Sequence, residues 1–304
     1  MQPIFIKGIM NIKFMLLKKT YELIPFKKHL FVGLKFFYKP SKRIYQHLHF
    51  KSIFKVKITN NESFVIKHYG YELENELFWM GIHNGWEKES MKWWITLCRN
   101  SYVIFDVGAN TGLFSIVAKT VNNNAEIHAF EPIPMVFKKL VTNCELNKYN
   151  IKCNQIALSN SKGEAIIYLP NENHAYSVTV NKNLNNPNVK VVEQKINIIT
   201  LAEYIQSNNI DKIDLMKIDV ETHEYEVLEG MKEYLEKMQP TLLIEILSDE
   251  IGKKVQTLFE KCNYIYFDIN ENGKITCIPN IQTSTSFNYL VCSKDVAIKL
   301  CLMN

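Results

Sequence analysis

VIFDVGANTG, residues 103–112, decides how this chain is read. Residues 102–107 are a near-continuous apolar run broken by one acid, Asp106, and the run ends in a turn bracketed by Gly108 and Gly112. Such a run reads as a strand buried on both faces, and the apolar spacing over 113–121 predicts a helix immediately after it. A second strand over 126–130 ends in Glu131, and a helix follows through 135–146. In doubly wound sheets, ligands bind outside the carboxyl ends of the strands, where the chain order reverses. Gly108 and Gly112 lack a Cβ and are expected to let a ligand approach the backbone. The helix start beyond them offers unpaired N–H groups to an anionic end.

The same alternation continues outward from this core. Strands are predicted at 151–158, 213–220, 241–247, 264–269 and 287–292, with helices over 224–238 and 251–262. This pattern means a parallel sheet covered by helices on both faces. Residues 161–200 interrupt it with Asn-rich turns and β-like pieces at 165–169 and 189–199, which read as an insertion near the site. Upstream, 53–69 reads as a hairpin turning at Asn60-Asn61, and 71–98 as mostly helical. Trp79, Trp86, Trp93 and Trp94 are expected in a core or lid, because acids such as Glu72, Glu74 and Glu87 intervene where a base-stacking platform needs a basic groove. The organisation is a basic segment over 1–50, a hairpin and helical pre-domain over 51–100, and a ligand-binding α/β domain over 101–304.

Charge divides the chain in the same way. Residues 1–45 carry ten Lys/Arg and one acid, a net of +9, while the whole chain has only +5, so the remainder is mildly acidic. A nucleic-acid enzyme more often carries its basic charge around the site. No apolar run approaches the roughly 20 residues of a membrane span, and no export signal is visible. Two readings of the basic head remain: a helix docked on its own domain with lysines solvated outward, or a segment lying on an anionic membrane. Seven cysteines, scattered singly with no CxxC pair, fit a reducing compartment.

The cofactor follows from the glycine turn. A nicotinamide site would read GxGxxG, but Asn110 stands at the second glycine, and the GxxxxGK of nucleotide hydrolysis is absent. S-adenosylmethionine carries no pyrophosphate. Its amino-acid end and sulfonium suit an acid before the turn, Asp106, with Glu131 accepting both ribose hydroxyls. A second constellation, LMKIDVETHEYEVLEG at 215–230, puts Asp219 and Glu221 at the end of the fourth strand, and Glu245 ends the fifth. Buried carboxylates need a reason. For Asp219 a shared pocket is preferred over helix capping; for Glu221 and Glu245 the pocket and structural readings both stand. An unperturbed histidine titrates near neutrality, so His223 is a candidate base beside its alternative as a helix-start residue.

DVGANTG (106–112), AFEPIPMVFKKLVTN (129–143), IALSNSKG (156–163), KIDVETHEYEVLEG (217–230) and PTLLIEI (240–246) together resemble the FkbM family of S-adenosylmethionine-dependent methyltransferases. Similarity extends more weakly to GWEKES (85–90) and FNYLVC (287–292), and Thr222 stands where that family frequently has glycine. The resemblance implies a class I methyltransferase fold, a Rossmann-like seven-stranded sheet with its last strand antiparallel. It implies O-methylation of a sugar, glycan, glycolipid or related metabolite. It places Asp106, Gly108, Asn110 and Gly112 at the methionine end, Glu131 on the ribose, Ala157 and Ser159 beside adenine, and Asp219 near the methyl group.

The expected reaction is in-line displacement at the methyl carbon by a substrate oxygen, with alignment supplying much of the rate. Asp219, Glu221 and His223 are the candidate catalytic residues. No metal is expected; a divalent ion on Asp219, Glu221 and Glu245 is the minority alternative. Competing readings are a non-catalytic membrane- or glycan-assembly module, a nucleic-acid methyltransferase and an NAD-dependent dehydrogenase. The expected setting is cytoplasmic, with peripheral contact of residues 1–45 on an anionic membrane as one of the two readings of the head, and no nucleic-acid partner.

Overall fold

The computed structural model describes residues 21, 24–170 and 191–303. Most of the basic run over 1–23 and the middle of the expected insertion, 171–190, lie outside the described residues. The chain divides into two compact units: residues up to Phe54 with Lys67–Trp79, and Lys55–Ile66 with Met80–Asn304.

The smaller unit contains helices α1 (Lys27–Phe37) and α2 (Lys42–Tyr45) and most of α3 (Glu72–Met80). It also holds the open ends of the hairpin strands β1 (Ser52–Lys57) and β2 (Ser63–His68). Its core is aromatic, with Phe50 against Phe78 at 4.8 Å and Phe31 against Trp79 at 5.5 Å between ring centroids. The first pair is edge-to-face and the second tilted, and aromatic pairs of these kinds add to area burial. Polar groups carried inward are bonded: Asn75 donates to the Tyr45 carbonyl at 2.6 Å, and Trp79 Nε1 to that of Leu48 at 3.0 Å.

The larger unit is built on one mixed sheet of order β12-β11-β13-β10-β9-β3-β4-β5. These strands are β3 (Val103–Val107), β4 (Glu126–Phe130), β5 (Lys152–Asn154), β9 (Leu215–Ile218), β10 (Thr241–Glu245), β11 (Tyr264–Asn270), β12 (Lys274–Ile278) and β13 (Asn288–Ser293). Strands β5, β4, β3, β9 and β10 run parallel, and β13 is antiparallel to both β10 and β11. Removing β12 leaves the seven-stranded order of the class I methyltransferase fold, with 288–293 as the antiparallel last strand. Strand β12 is an eighth, added at the edge as a hairpin with β11. Its turn, with Gly273 in the left-handed region at φ 96, was not expected from the sequence.

Helices α4 (Lys88–Cys98), α5 (Leu113–Val121), α6 (Pro134–Leu146), α7 (Leu201–Ser207), α8 (Glu224–Glu229), α9 (Glu233–Met238), α10 (Asp249–Leu258) and α11 (Lys294–Lys299) complete the unit. A capping box at Thr200 and Glu203 starts α7. Three expected elements are divided. The 71–98 helix breaks between α3 and α4, where Gly81 (φ 74) and Glu87 (φ 50) are left-handed. The 224–238 helix breaks between α8 and α9 at Lys232 (φ 53). The 151–158 strand becomes β5 and β6 (Ala157–Ser159); Asn154 ends β5 by donating to the Lys152 and Ala129 carbonyls at 2.9 and 3.2 Å.

β6 joins β8 (Val191–Thr200) and β7 (Gly163–Pro170) in a separate three-stranded sheet of order β6-β8-β7. The described ends of the expected insertion are therefore a sheet of their own. Trp79 and Trp94 are buried, whereas Trp86 is half exposed.

Candidate active site

Register brings four strand ends side by side. Val107 pairs with Phe130 on one side and Ile218 on the other, and Ile218 pairs with Ile244. The residues just beyond or closing these strands, Gly108, Glu131, Asp219 and Glu245, therefore share one edge of the sheet. That edge lies where the strand order reverses between β3 and β9.

Gly108 is left-handed (φ 83), and a Cβ there would stand 1.8 Å from the Asp219 carbonyl oxygen. At Gly112 (φ 90) a Cβ would stand 2.6 Å from Leu140 Cδ1. The space beside both glycines is filled by protein. Gly108 admits the turn after β9, and Gly112 admits α6.

The bend and Glu131 form one hydrogen-bonded unit. Gly108 and Ala109 donate to the Phe130 carbonyl at 3.0 and 2.9 Å. Asn110 (φ 49) donates its N–H to Glu131 Oε2 at 3.0 Å, and Ile133 donates to Oε1 at 2.9 Å. Burial pushes the Glu131 carboxyl up to about 7, with Asp106 and Asp219 acting in the same direction against the two N–H donors. Asp106 is buried, and its Oδ2 accepts from Ser115 Oγ at 2.6 Å. Burial raises its pKa, opposed by Lys217 and Ser115.

Lys217 is the residue that sequence reasoning passed over. It is buried in β9, its Nζ lies 2.6 Å from Asp219 Oδ2 and 4.3 Å from the centroid of the Phe114 ring. Burial alone would lower its pKa, but Asp219, Glu87 and Asp106 more than reverse this and hold it charged. A signal was available: a lysine between Met216 and Ile218 in a strand covered on both faces must have a partner.

Glu87 was also missed as a site residue. It is buried, its Oε1 accepts from Asn288 Nδ2 at 3.1 Å, and its Oε2 has no hydrogen-bond partner. Asn288 pairs in register with Glu245. Burial raises the pKa of both Glu87 and Glu245, and the Asp219 charge adds to the shift in each.

The turn after β9 places consecutive left-handed residues at Glu221 (φ 53) and Thr222 (φ 82). A β-branched residue there is a genuine outlier. Buried Glu224 holds the turn by accepting from Thr222 N at 3.1 Å and Val220 N at 3.4 Å. Burial pushes Glu221 up to about 7, with Asp219 adding to it and Lys217 opposing.

His223 stands at the start of α8 with both ring nitrogens engaged. Nε2 is 3.0 Å from Ser159 Oγ, and Nδ1 is 3.5 Å from Glu226 Oε2. Burial lowers its pKa, against the pull of Glu226. The structure thus joins Ser159 to His223, two residues expected in different roles. A Cβ at Gly230 would stand 2.0 Å from the Ser159 carbonyl oxygen, so β6 and α8 meet closely here. Ala157 packs against the small cluster of Ile133, Ile167 and Ile196. Among the described residues no three His, Cys, Asp or Glu side chains form a metal-holding group, Asp219, Glu221 and Glu245 included. The Lys217 ammonium sits on the Oδ2 of Asp219 instead.

The family model described as the methyltransferase FkbM domain matches residues 106–266, more than half of the chain. The chain belongs to the FkbM methyltransferase family. It is 34% identical over 184 residues to methyltransferase sdnD of Sordaria araneosa, covering 52% of this chain and 71% of that protein. It is 29% identical over 161 residues to hexuronic acid methyltransferase AglP of Haloferax volcanii, covering 52% of this chain and 62% of that one. With the 31-O-demethyl-FK506 methyltransferase FkbM of Streptomyces tacrolimicus the figures are 26% over 155 residues, 43% and 60%. The chain thus spans about 60 to 70% of the length of these curated relatives. Among solved structures, the FkbM methyltransferase of Methylobacillus flagellatus KT superposes with a TM-score of 0.40 at 12% identity, covering 63% of this chain and 43% of that one. The FkbM match includes the bend, Glu131, Lys217, Asp219 and Glu245, and leaves Glu87 and Asn288 outside it.

Proposed function

We propose that this FkbM-family protein transfers a methyl group from S-adenosylmethionine to a hydroxyl of a sugar, glycan, glycolipid or related metabolite. The observation that carries the reading is the acidic strand-end edge, with Glu131 locked to the Asn110 N–H at 3.0 Å. The residues present fit the cofactor. The carboxyl groups of Asp106, Asp219, Glu87, Glu221 and Glu245 interact with a single buried ammonium, Lys217. Those acceptor oxygens suit a ligand carrying a sulfonium and an ammonium, whose positive charge would in turn favour their ionised form. S-adenosylmethionine supplies a methyl group already activated on its sulfonium.

The protein's part is binding, orientation and proton acceptance. Each Glu131 oxygen accepts one backbone N–H and keeps lone-pair capacity for a ribose hydroxyl. Asp106, Gly108, Asn110 and Gly112 take the methionine end, and Ala157 and Ser159 the adenine side. Lys217 holds Asp219 in place from one oxygen, leaving Oδ1 to orient the acceptor. Glu221, pushed up to about 7, and His223, kept neutral by burial, are the bases for the hydroxyl proton. The donor is made in the cytosol, which sets the reaction in the cytoplasm, with residues 1–45 in peripheral contact with an anionic membrane.

Calorimetric titration with S-adenosylmethionine and, separately, NAD tests the reading. Binding of the first and not the second is expected, with Glu131→Gln weakening it at least about tenfold through lost charge-assisted hydrogen bonds. Absence of binding would favour a non-catalytic module. Asp219→Ala is expected to abolish transfer of labelled methyl into glycan and glycolipid extracts, and near-normal transfer would remove Asp219 from the reaction.

A further inference from the structure

We propose that α1 and its flanking residues form a docking face for an anionic lipid bilayer. This rests on the membrane contact named in the functional reading but not on methyl transfer. The face is carried by an inverted helix. Only Phe31 of α1 is buried. Phe26, Leu30, Leu34 and Phe37 recur at the spacing of one helical stripe, and they are 75%, 59%, 36% and 92% exposed; neighbouring Phe36 is 81% exposed.

Two lysines instead turn toward protein groups. Lys35 Nζ donates to the Phe78 carbonyl and lies over the Phe78 ring. Lys27 Nζ donates to the Tyr21 carbonyl at 3.0 Å. Lys27 and Lys35 are therefore engaged by protein groups, while Phe31 of the same helix is buried as a docked helix requires. Exposed aromatic residues gathered in one place mark a contact surface.

Charge identifies the partner. Residues 24–45 contain six Lys/Arg and no acid. Lys42 is shared with Glu72 and Glu76 at 3.3 and 3.9 Å, while Lys39 and Arg43, which follow α1 in the chain, are exposed. Two copies of this face would bring like charges together, so self-association is disfavoured. An anionic headgroup layer neutralises the lysines while the rings enter the acyl boundary. Eleven residues cannot span a bilayer, and among the described residues no helix is long and apolar enough to do so. The helix therefore lies along the surface.

Co-sedimentation of the full chain with vesicles of phosphatidylcholine, with and without phosphatidylglycerol, is the test. Binding is expected only with phosphatidylglycerol, and it should fall as salt rises. Replacing both Phe36 and Phe37 by Ser should weaken it at least about tenfold. Lys39→Glu should weaken it about fivefold or more. Equal binding to both vesicle types, or unchanged partition of the double variant, overturns the proposal. So does gel filtration showing that the double variant splits a dimer. S-adenosylmethionine titration of the parent and the variants is read separately: its failure would remove the methyl-transfer reading and leave the lipid result to stand on its own. Its preservation in the double variant shows that the fold is intact.

Discussion

The turns after β3 and after β9 lie side by side and do their work with opposite materials. The first places Gly108, Asn110 and Gly112 in the left-handed region, residue types that enter it at little or modest steric cost. The second places Glu221 and Thr222 there, and neither is suited to it. The first turn is relaxed and packed: its missing Cβ atoms make room for the Asp219 carbonyl and for Leu140. The second is strained and held by Glu224, whose Oε1 accepts from the turn while Oε2 remains without a partner. Strain persists where the surroundings over-determine it, and it gathers at functional sites. The relaxed turn brings the ends of β3 and β9 together, and the strained one follows Asp219 and contains Glu221.

The sharpest way to break this comparison is Gly108→Ala. A methyl 1.8 Å from the Asp219 carbonyl must push the two turns apart. A loss of more than about 4 kcal/mol, or no folded protein, is expected in urea melts. A tolerated alanine would mean that the turns do not touch.

Lys217→Met comes next. It leaves Asp219 and its neighbours without their counter-charge, and a loss of about 3–5 kcal/mol is expected from the same melts.

A smaller effect belongs to pH. The Glu221 carboxyl is raised to about 7 from an ordinary 4.5. The folded state then binds more protons than the unfolded one between those values. The group's contribution is present below about pH 4.5 and is lost as pH rises through 7. Glu221→Gln should therefore match the parent at pH 4.5 and exceed it by about 1 kcal/mol at pH 8, the full shift being discounted for solvent screening. A constant difference across that range would show that the carboxyl titrates normally.

The smallest change is Thr222→Gly, expected to raise stability by about 0.5 kcal/mol as left-handed strain is relieved against a more flexible unfolded chain. No gain would place the strain at Glu221 alone.

Much of this architecture could be read before any coordinates. The glycine turn and the acid closing the second strand follow from local pattern, because apolar period and turn chemistry act over a few residues, and the antiparallel last strand follows from the resemblance to the FkbM family. What escaped was non-local. Glu87 reaches Asn288 from 201 positions away, and nothing near GWEKES marks that partner. The division of 151–158 between two sheets depends on which strands are free to pair as well as on the Asn154 side chain that ends β5. The lysine at 217 was legible in principle, as a charge inside a covered strand, but Glu87 and Asp106, which help hold it charged, lie on other segments.

The sequence by itself determined the doubly wound fold, the family and the edge of the sheet where a ligand belongs, since each rests on short-range pattern and on chain order. Only the tertiary structure decided that Gly108 yields to a neighbouring carbonyl, that His223 is engaged by Ser159, and that a helix near the amino terminus turns its rings outward. Those outcomes are set by which surfaces meet, and contact between distant segments leaves no periodic trace in either one.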